Sequence, residues 1–191
     1  MFYLETGRKV DCCGCRACEH ICPMNCIRMI EDEEGFYYPL KNDDLCTHCG
    51  LCEKVCPNVN NKLLISDKAF QPKAYMAIHK DETVLAESAS GGVFSAIVKS
   101  YCKDNFAVFG VEFDENFHAI HSYAERIEGT RKYRKSKYIQ SDIRDSYKKA
   151  ESFLKEGRSV LFTGTPCQIA GLRLYLRKDY DNLFCVDLVC H

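Results

Sequence analysis

The sequence predicts an α+β chain in two parts, a small cysteine-rich module followed by an incomplete α/β domain. Three observations predict it. Ten of the 14 cysteines in the 191 residues lie between Cys12 and Cys56. Those cysteines fall into two runs related by one offset, an internal repeat. From residue 73 onward, β-rich stretches alternate with apolar residues at helical spacing. Hydrophobic content of 46% beside 28% charged residues excludes a disordered chain. No apolar run reaches the roughly 18 residues that a membrane span needs. The start, Met1 to Lys9, has no apolar h-region and no cleavage site. A cytoplasmic protein without a membrane span is therefore expected. In that compartment clustered cysteines are better read as ligands than as disulfides.

The overall charge of −1 says little, but its distribution is uneven. Residues 1–61 hold 6 Lys+Arg against 10 Asp+Glu, and the rest hold 20 against 17. An acidic front and a mildly basic back suit an electron-transfer module beside a segment that handles anions.

The first run reads Cys12-x2-Cys15-x2-Cys18-x3-Cys22-Pro23, and the second Cys46-x2-Cys49-x2-Cys52-x3-Cys56-Pro57. Every member of the second stands 34 residues after its counterpart, proline included. This is the spacing of the bacterial two-cluster ferredoxins, so the module is expected to be ferredoxin-like and to hold two 4Fe–4S clusters. Three closely spaced thiolates wrap one cube in a loop whose backbone N–H groups point at the sulfurs. The fourth cysteine, before proline, faces the other cube. Cys12, Cys15, Cys18 and Cys56 are then expected on the first cluster, and Cys46, Cys49, Cys52 and Cys22 on the second. A structural zinc site needs four cysteines, often as two C-x2-C pairs, and does not call for a third and fourth followed by proline, twice. Cys13 and Cys26 lie outside the pattern and read as small buried thiols. His20 and His48 read as solvated loop residues. Ile27–Leu40, with an acidic turn at residues 31–35, reads as a hairpin, with Tyr37 and Tyr38 covering the clusters.

The predicted domains are residues 1–61 for the module, 62–72 for a polar linker and 73–191 for the rest. Ala74–His79 is expected as a strand and Asp81–Glu87 as a short helix. Ser90-Gly91-Gly92 then opens a helix with apolar residues at Val93, Phe94, Ile97, Val98 and Tyr101. Such a start is either an anion site or a simple cap. Phe106–Phe113 and Phe117–Tyr123 alternate and read as an antiparallel hairpin. Gly129–Tyr138 carries five basic residues and no acid, with two tyrosines interleaved. A single short run of this kind is read as a solvated face or a phosphate-contacting loop, and no nucleic acid is expected. Asp145–Gly157 reads as an amphipathic helix stopped by glycine, and Ser159–Thr163 as a buried strand. Gly164-Thr165-Pro166-Cys167-Gln168 opens the next helix, placing the Cys167 thiol at a first turn. There it fits a nucleophile, a redox thiol or a cluster ligand. Leu183–Val189 is the last expected strand. The chain stops at Cys190-His191 with no following helix, so the domain is expected to be cut short at its C-terminus.

These residues resemble the family of coenzyme F-420 hydrogenase/dehydrogenase beta subunits. The stretches that carry the resemblance are Ser90-Gly91-Gly92-Val93-Phe94-Ser95, Ser136-Lys137-Tyr138, Phe162 to Gly171, and Val189-Cys190-His191. Residues 74–191 resemble the family's N-terminal part. The resemblance implies an iron–sulfur flavoprotein oxidoreductase that passes electrons between 4Fe–4S clusters, FAD and a deazaflavin (coenzyme F-420) or another small organic acceptor. It implies that Ser90, Gly91, Gly92, Ser136, Lys137 and Tyr138 line the flavin, with Thr163, Gly164, Thr165 and Gln168 beside it. The basic run would neutralise FAD phosphates. It also implies a third 4Fe–4S cluster, for which Cys167 and Cys190 are half the ligands. The alternative is a non-catalytic electron-transfer module that docks to a redox partner protein within a larger complex.

Overall fold

A computed structural model describes residues 1–60 and 71–189. The linker expected over 62–72 therefore lies mostly outside the described residues, as does Cys190. The described residues form a mixed α+β fold with two small sheets. In chain order its helices are α1 (Tyr3–Thr6), α2 (Ala17–Ile21), α3 (Leu51–Lys54), α4 (Pro57–Asn60), α5 (Glu82–Ala86), α6 (Val93–Tyr101), α7 (Ser146–Lys155) and α8 (Pro166–Leu176). Its strands are β1 (Ile27–Glu31), β2 (Tyr37–Lys41), β3 (Phe106–Phe113), β4 (Ala119–Ala124), β5 (Ser159–Gly164) and β6 (Leu183–Asp187).

The described residues form two units, and neither is continuous in sequence. One joins residues 1–60 to 165–179; the other joins 71–164 to 180–188. The predicted boundary near residue 73 thus misses a piece. Helix α8, expected inside the second domain, groups with the cysteine-rich part. It packs on α2 and α4, and Tyr175 of α8 meets the His20 ring edge-on at 6.0 Å. His20 is buried, not solvated as expected. His48 is exposed, as expected.

The first unit repeats in conformation as well as in sequence. A 3-10 turn over Lys9–Asp11 leads into Cys12, and one over Asp43–Leu45 leads into Cys46. Gly14 and Arg16 adopt left-handed backbone, and so do their counterparts His48 and Gly50. α2 follows Arg16 directly, and α3 follows Gly50. The predicted hairpin forms as β1 paired antiparallel with β2, with Met29 opposite Pro39. Its tyrosines are clamped from the N-terminal segment. Tyr38 stacks on Tyr3 at 5.4 Å, and the Arg16 guanidinium lies 5.1 Å above the Tyr37 ring. The Met29 amide donates to the Glu19 carboxylate at 3.0 Å, tying β1 to α2.

The second unit is built on a four-stranded sheet in the order β4-β3-β5-β6. β3 pairs antiparallel with β4, as the hairpin reading expected, and parallel with β5; β5 pairs parallel with β6. Side chains alternate across it. Phe106, Val108 and Leu161 pack with Val98 and Cys102 of the α6 segment. Phe109 and Phe162 stack at 5.1 Å on the opposite face, with Phe153 and Tyr147 of α7 against them. So helices cover both faces, which explains the near-continuous buried apolar runs of β3 and β5. α7 ends at Gly157, whose φ of +78° lets the chain reverse.

Residues 74–79 correct the sequence reading. They form no strand, and Tyr75, Met76 and Ile78 are exposed. The stretch lies against the start of α6. The His79 amide donates to the Gly91 carbonyl at 2.7 Å. A Cβ on Gly91 would stand 2.3 Å from the Ala77 carbonyl oxygen. Gly91 is therefore required by a close backbone approach, and Gly92 by its φ of +71°. Gly91→Ala should cost about 1–3 kcal/mol through overpacking. Urea unfolding of the two proteins measures it; equal midpoints would show that residues 77–79 do not hold this position.

Candidate iron–sulfur and cofactor sites

Two-residue spacing cannot aim three thiols at one volume along a regular helix or strand. The left-handed residues between the cysteines turn the chain so that it can. In these loops backbone amides do reach the sulfurs. Gly14 N–H donates to Cys12 Sγ at 3.3 Å and His48 N–H to Cys46 Sγ at 3.4 Å. Cys22 is held below the usual thiol range. Burial opposes this, but the amides of Cys26, Met24 and Ile27 and the Cys26 thiol, 3.3 Å away, outweigh it.

The neighbourhoods cross between the two runs. Burial raises Cys18 most, and Cys12, Cys56 and Cys52 add to it. Cys12 is raised by burial and then, against the Gly14 amide, by Cys56 and Cys167. Cys52 is raised by burial, with Cys46 and Cys49 adding to it. Cys26 is pushed up to about 12 by burial, then by Cys22 and Cys46. Cys56 thus sits with the first run, and Cys22 shares a neighbourhood with Cys46 of the second. Crowded thiolates repel one another, and a cationic iron core offsets that repulsion. The residues present fit two 4Fe–4S clusters on this ground. Among the described residues, no three His, Cys, Asp or Glu side chains converge closely enough to hold a single metal ion.

Cys13 and Cys26 are not isolated thiols. Cys13 is raised well above the thiol range, first by a hydrogen bond with Cys15, and it also bonds to Cys167. Cys167 is raised by that bond and by burial, and its Sγ lies 3.2 Å from Thr165 Oγ1. No sequence pattern signals that Cys13 and Cys167 meet, because they stand near opposite ends of the chain. Cys102, by contrast, is an ordinary buried thiol, pushed up to about 11 by burial.

The ten residues that the resemblance assigned to a flavin divide between the units. Thr165 and Gln168 belong with the cysteine-rich unit. There they close the α8 capping box: Thr165 N–H donates to Gln168 Oε1 at 2.9 Å, and the Thr165 side chain accepts from the Gln168 amide. Thr163 and Gly164 end β5, a parallel strand, where open α/β sheets bind ligands. Thr163 Oγ1 donates to the Phe109 carbonyl at 2.9 Å. The basic loop and the Ser-Gly-Gly start do come together. Arg134 Nε donates to Ser95 Oγ at 3.0 Å, in the first turn of α6. Arg134 and Arg131 also pair with Glu87, and Lys132 pairs with Glu112 at 2.8 Å. Ser136 and Tyr138 are exposed. Lys137 turns inward, donating to the carbonyls of Lys132, Arg134 and Lys135 at 3.1, 2.8 and 3.2 Å. Burial lowers its pKa.

The sequence reading missed His121. It is buried on β4, stacked 5.6 Å from Phe162, with Nε2 3.1 Å from the Thr163 carbonyl and Nδ1 3.1 Å from Ser141 Oγ. It therefore fixes the turn at Thr163. A lone histidine in a β-rich stretch carries no spacing signal that could have found it.

Two known families share parts of this arrangement. Residues 11–60 match the family described as the 4Fe-4S dicluster domain. Residues 157–191 match the family that covers the C terminus of the coenzyme F420 hydrogenase/dehydrogenase beta chain. That second match is to a C-terminal family, whereas the sequence reading assigned residues 74–191 to the N-terminal part. The chain is 28% identical to one of the subunits of the F(420)H(2) dehydrogenase of Methanosarcina mazei, over 94% of this chain and 53% of the relative. It is 31% identical to coenzyme F420-dependent sulfite reductase of Methanocaldococcus jannaschii, over 91% of this chain and 27% of the relative. An uncharacterized ferredoxin of the same organism is 36% identical over 59 residues, 31% of each chain. The chain thus spans about half the length of the first relative and about a quarter of the second. Residues 11–60 thus carry a 4Fe–4S dicluster domain, and residues 157–191 are similar to the coenzyme F420 hydrogenase/dehydrogenase beta-subunit family. No helix of the described residues is long and apolar enough to cross a membrane.

Cys18→Ala and Cys52→Ala should each remove about four irons per chain, while Cys13→Ala keeps the full complement. Iron and sulfide analysis reads the result, and iron loss in the Cys13 variant would shift the register. Burial lowers His121 to about 4, so the unfolded chain binds its proton first. The stability this gives is complete above about pH 6.5 and is lost as pH falls toward 4, by at most about 1.4 kcal/mol per pH unit. Thermal melts of wild type and His121→Gln across that window should differ in slope; parallel slopes would place the histidine in water.

Proposed function

We propose that this chain is the electron-transferring part of a cytoplasmic iron–sulfur flavoprotein oxidoreductase. The single observation that carries the proposal is the dicluster match at residues 11–60 in one chain with the beta-chain match at residues 157–191. The proposed ligands are Cys12, Cys15, Cys18 and Cys56 for one cluster and Cys46, Cys49, Cys52 and Cys22 for the other. The crossed thiol neighbourhoods support that division. When bound, the clusters would supply one-electron transfer, and FAD would couple it to two-electron chemistry.

The chain's own residues then have definable tasks. The amides of Gly14 and His48 orient Cys12 and Cys46 and stabilise negative sulfur. Tyr37 and Tyr38 cover the hairpin side. In the second unit Arg134, at the first turn of α6, would meet a flavin phosphate. Glu87 would give up part of its pairing as it does so. Lys137 would hold the loop through its three carbonyl bonds and would contact no phosphate unless that loop opens. The acceptor is a small organic molecule that takes a hydride, of which a deazaflavin is the leading example, because the names of two relatives specify coenzyme F420. A redox partner protein would deliver or receive the electrons.

One specific observation favours a second reading, an electron-transfer protein without its own catalysis. Lys137, Thr165 and Gln168, three of the assigned flavin residues, are already engaged within the protein. FAD titration of the anaerobically purified chain separates the two. The oxidoreductase reading expects stoichiometric flavin, weakened at least tenfold in Arg134→Ala; absence of bound flavin would leave the electron-transfer reading.

A further inference from the structure

The two cysteine loops follow one backbone course but differ at one left-handed position. Gly50 holds it in the second loop at φ +70°, and its counterpart Arg16 holds it in the first at φ +61°. Glycine takes this conformation freely, whereas a side chain there costs energy. Room is not the reason for the difference, because a Cβ on Gly50 would meet nothing within 4 Å. An outlier of this kind beside a site points to a task for the side chain. The Arg16 side chain is only 13% exposed. Its guanidinium lies 5.1 Å above the Tyr37 ring, and Nη1 pairs with Glu19 Oε2 at 2.7 Å. Glu19 Oε1 accepts from the Met29 amide at 3.0 Å. The cation is thus held against α2 and the β1–β2 hairpin, largely out of water. Arg8 and Lys9, just ahead of the loop, leave 53% and 56% of their side chains exposed, where solvent and salt screen them. Arg16 directly follows Cys15, and its charge does not titrate away. The second loop has a carboxylate, Glu53, at the place of Glu19, but no cation at the place of Arg16.

We propose that Arg16 is a tuning residue, raising the reduction potential of the 4Fe–4S cluster expected on Cys12, Cys15, Cys18 and Cys56. The inference rests on the cluster reading given above. One electron, delivered by the redox partner, adds one negative charge at that site; no bond breaks and no proton is required. A shielded cation one residue from a ligand stabilises the added charge, and net charge is among the factors that set such potentials. Glu19 opposes it in part. Removing the cation therefore lowers the potential, and removing the carboxylate raises it. A purely mechanical clamp on the hairpin has no such opposed signs.

The test is a reductive titration of the anaerobically purified chain, followed by electron paramagnetic resonance, with iron counted in every sample. The wild-type chain should hold about eight irons and show two one-electron midpoints. A chain without iron would sink the cluster reading itself, and this inference with it. In Arg16→Gly, which copies the second loop, one midpoint should fall and the other should stay. The ratio of reduced to oxidised cluster at a fixed potential should drop about tenfold, equivalent to ~59 mV for one electron. Arg16→Lys keeps the charge and should keep most of the potential. Glu19→Gln, whose amide oxygen can still accept from Met29, should move the same midpoint up. Unmoved midpoints in Arg16→Gly with the iron intact would overturn the inference. So would a fall in both Arg16→Gly and Glu19→Gln, which would assign the two residues to mechanical support alone. If Arg16→Gly loses iron, Glu19→Gln decides: a rise supports the inference, and no rise overturns it. None of these outcomes depends on flavin.

Discussion

The cysteine-rich unit depends on a constraint of backbone direction. Thiols spaced three residues apart must face one volume, and regular structure cannot arrange that. Left-handed residues at Gly14, Arg16, His48 and Gly50 solve the problem twice, in one pattern. Two of the four are not glycine, so Arg16 and His48 adopt a conformation that costs non-glycine residues energy. Amide-to-sulfur bonds at Cys12 and Cys46 accompany the turns. The short helices, the hairpin and the packing of α8 then enclose loops whose course is already determined.

Much of this was legible in the sequence because it is periodic. The 34-residue offset told of a repeat, and the structure extends it to the 3-10 turns and helix starts, which no cysteine marks. The β1–β2 and β3–β4 hairpins followed from alternation and turn residues. Residues 74–79 misled because their apolar residues look strand-like one by one. The stretch is used instead to seat against Gly91, a backbone contact that leaves no side-chain pattern. His20 misled in the opposite direction. Its neighbours in sequence are loop-forming cysteines, but its burial comes from Tyr175, far along the chain. Long-range contacts of that kind have no local signature.

Charge in the second unit is more self-contained than composition suggests. The five basic residues of the 131–137 loop look like a surplus. In the structure Arg131, Lys132 and Arg134 meet Glu87 or Glu112, and Lys137 is held by carbonyl groups. Such a loop is pre-organised more than it is electrostatically hungry. An incoming anion would have to compete with carboxylates already in place; of these pairs Arg131–Glu87 is the exposed one and the weaker to hold.

The discontinuity of the first unit has a consequence for synthesis. Its final helix, α8, is translated only after β3, β4, α7 and β5. At roughly 5–20 residues per second, on the order of ten seconds pass on the ribosome before the segment that packs on α2 and α4 exists. During that interval the cysteine loops are complete but one apolar flank is bare. Metal insertion into the nascent chain would therefore meet a more open site than the finished protein presents, and the order of loading and folding becomes a choice for the cell's assembly machinery.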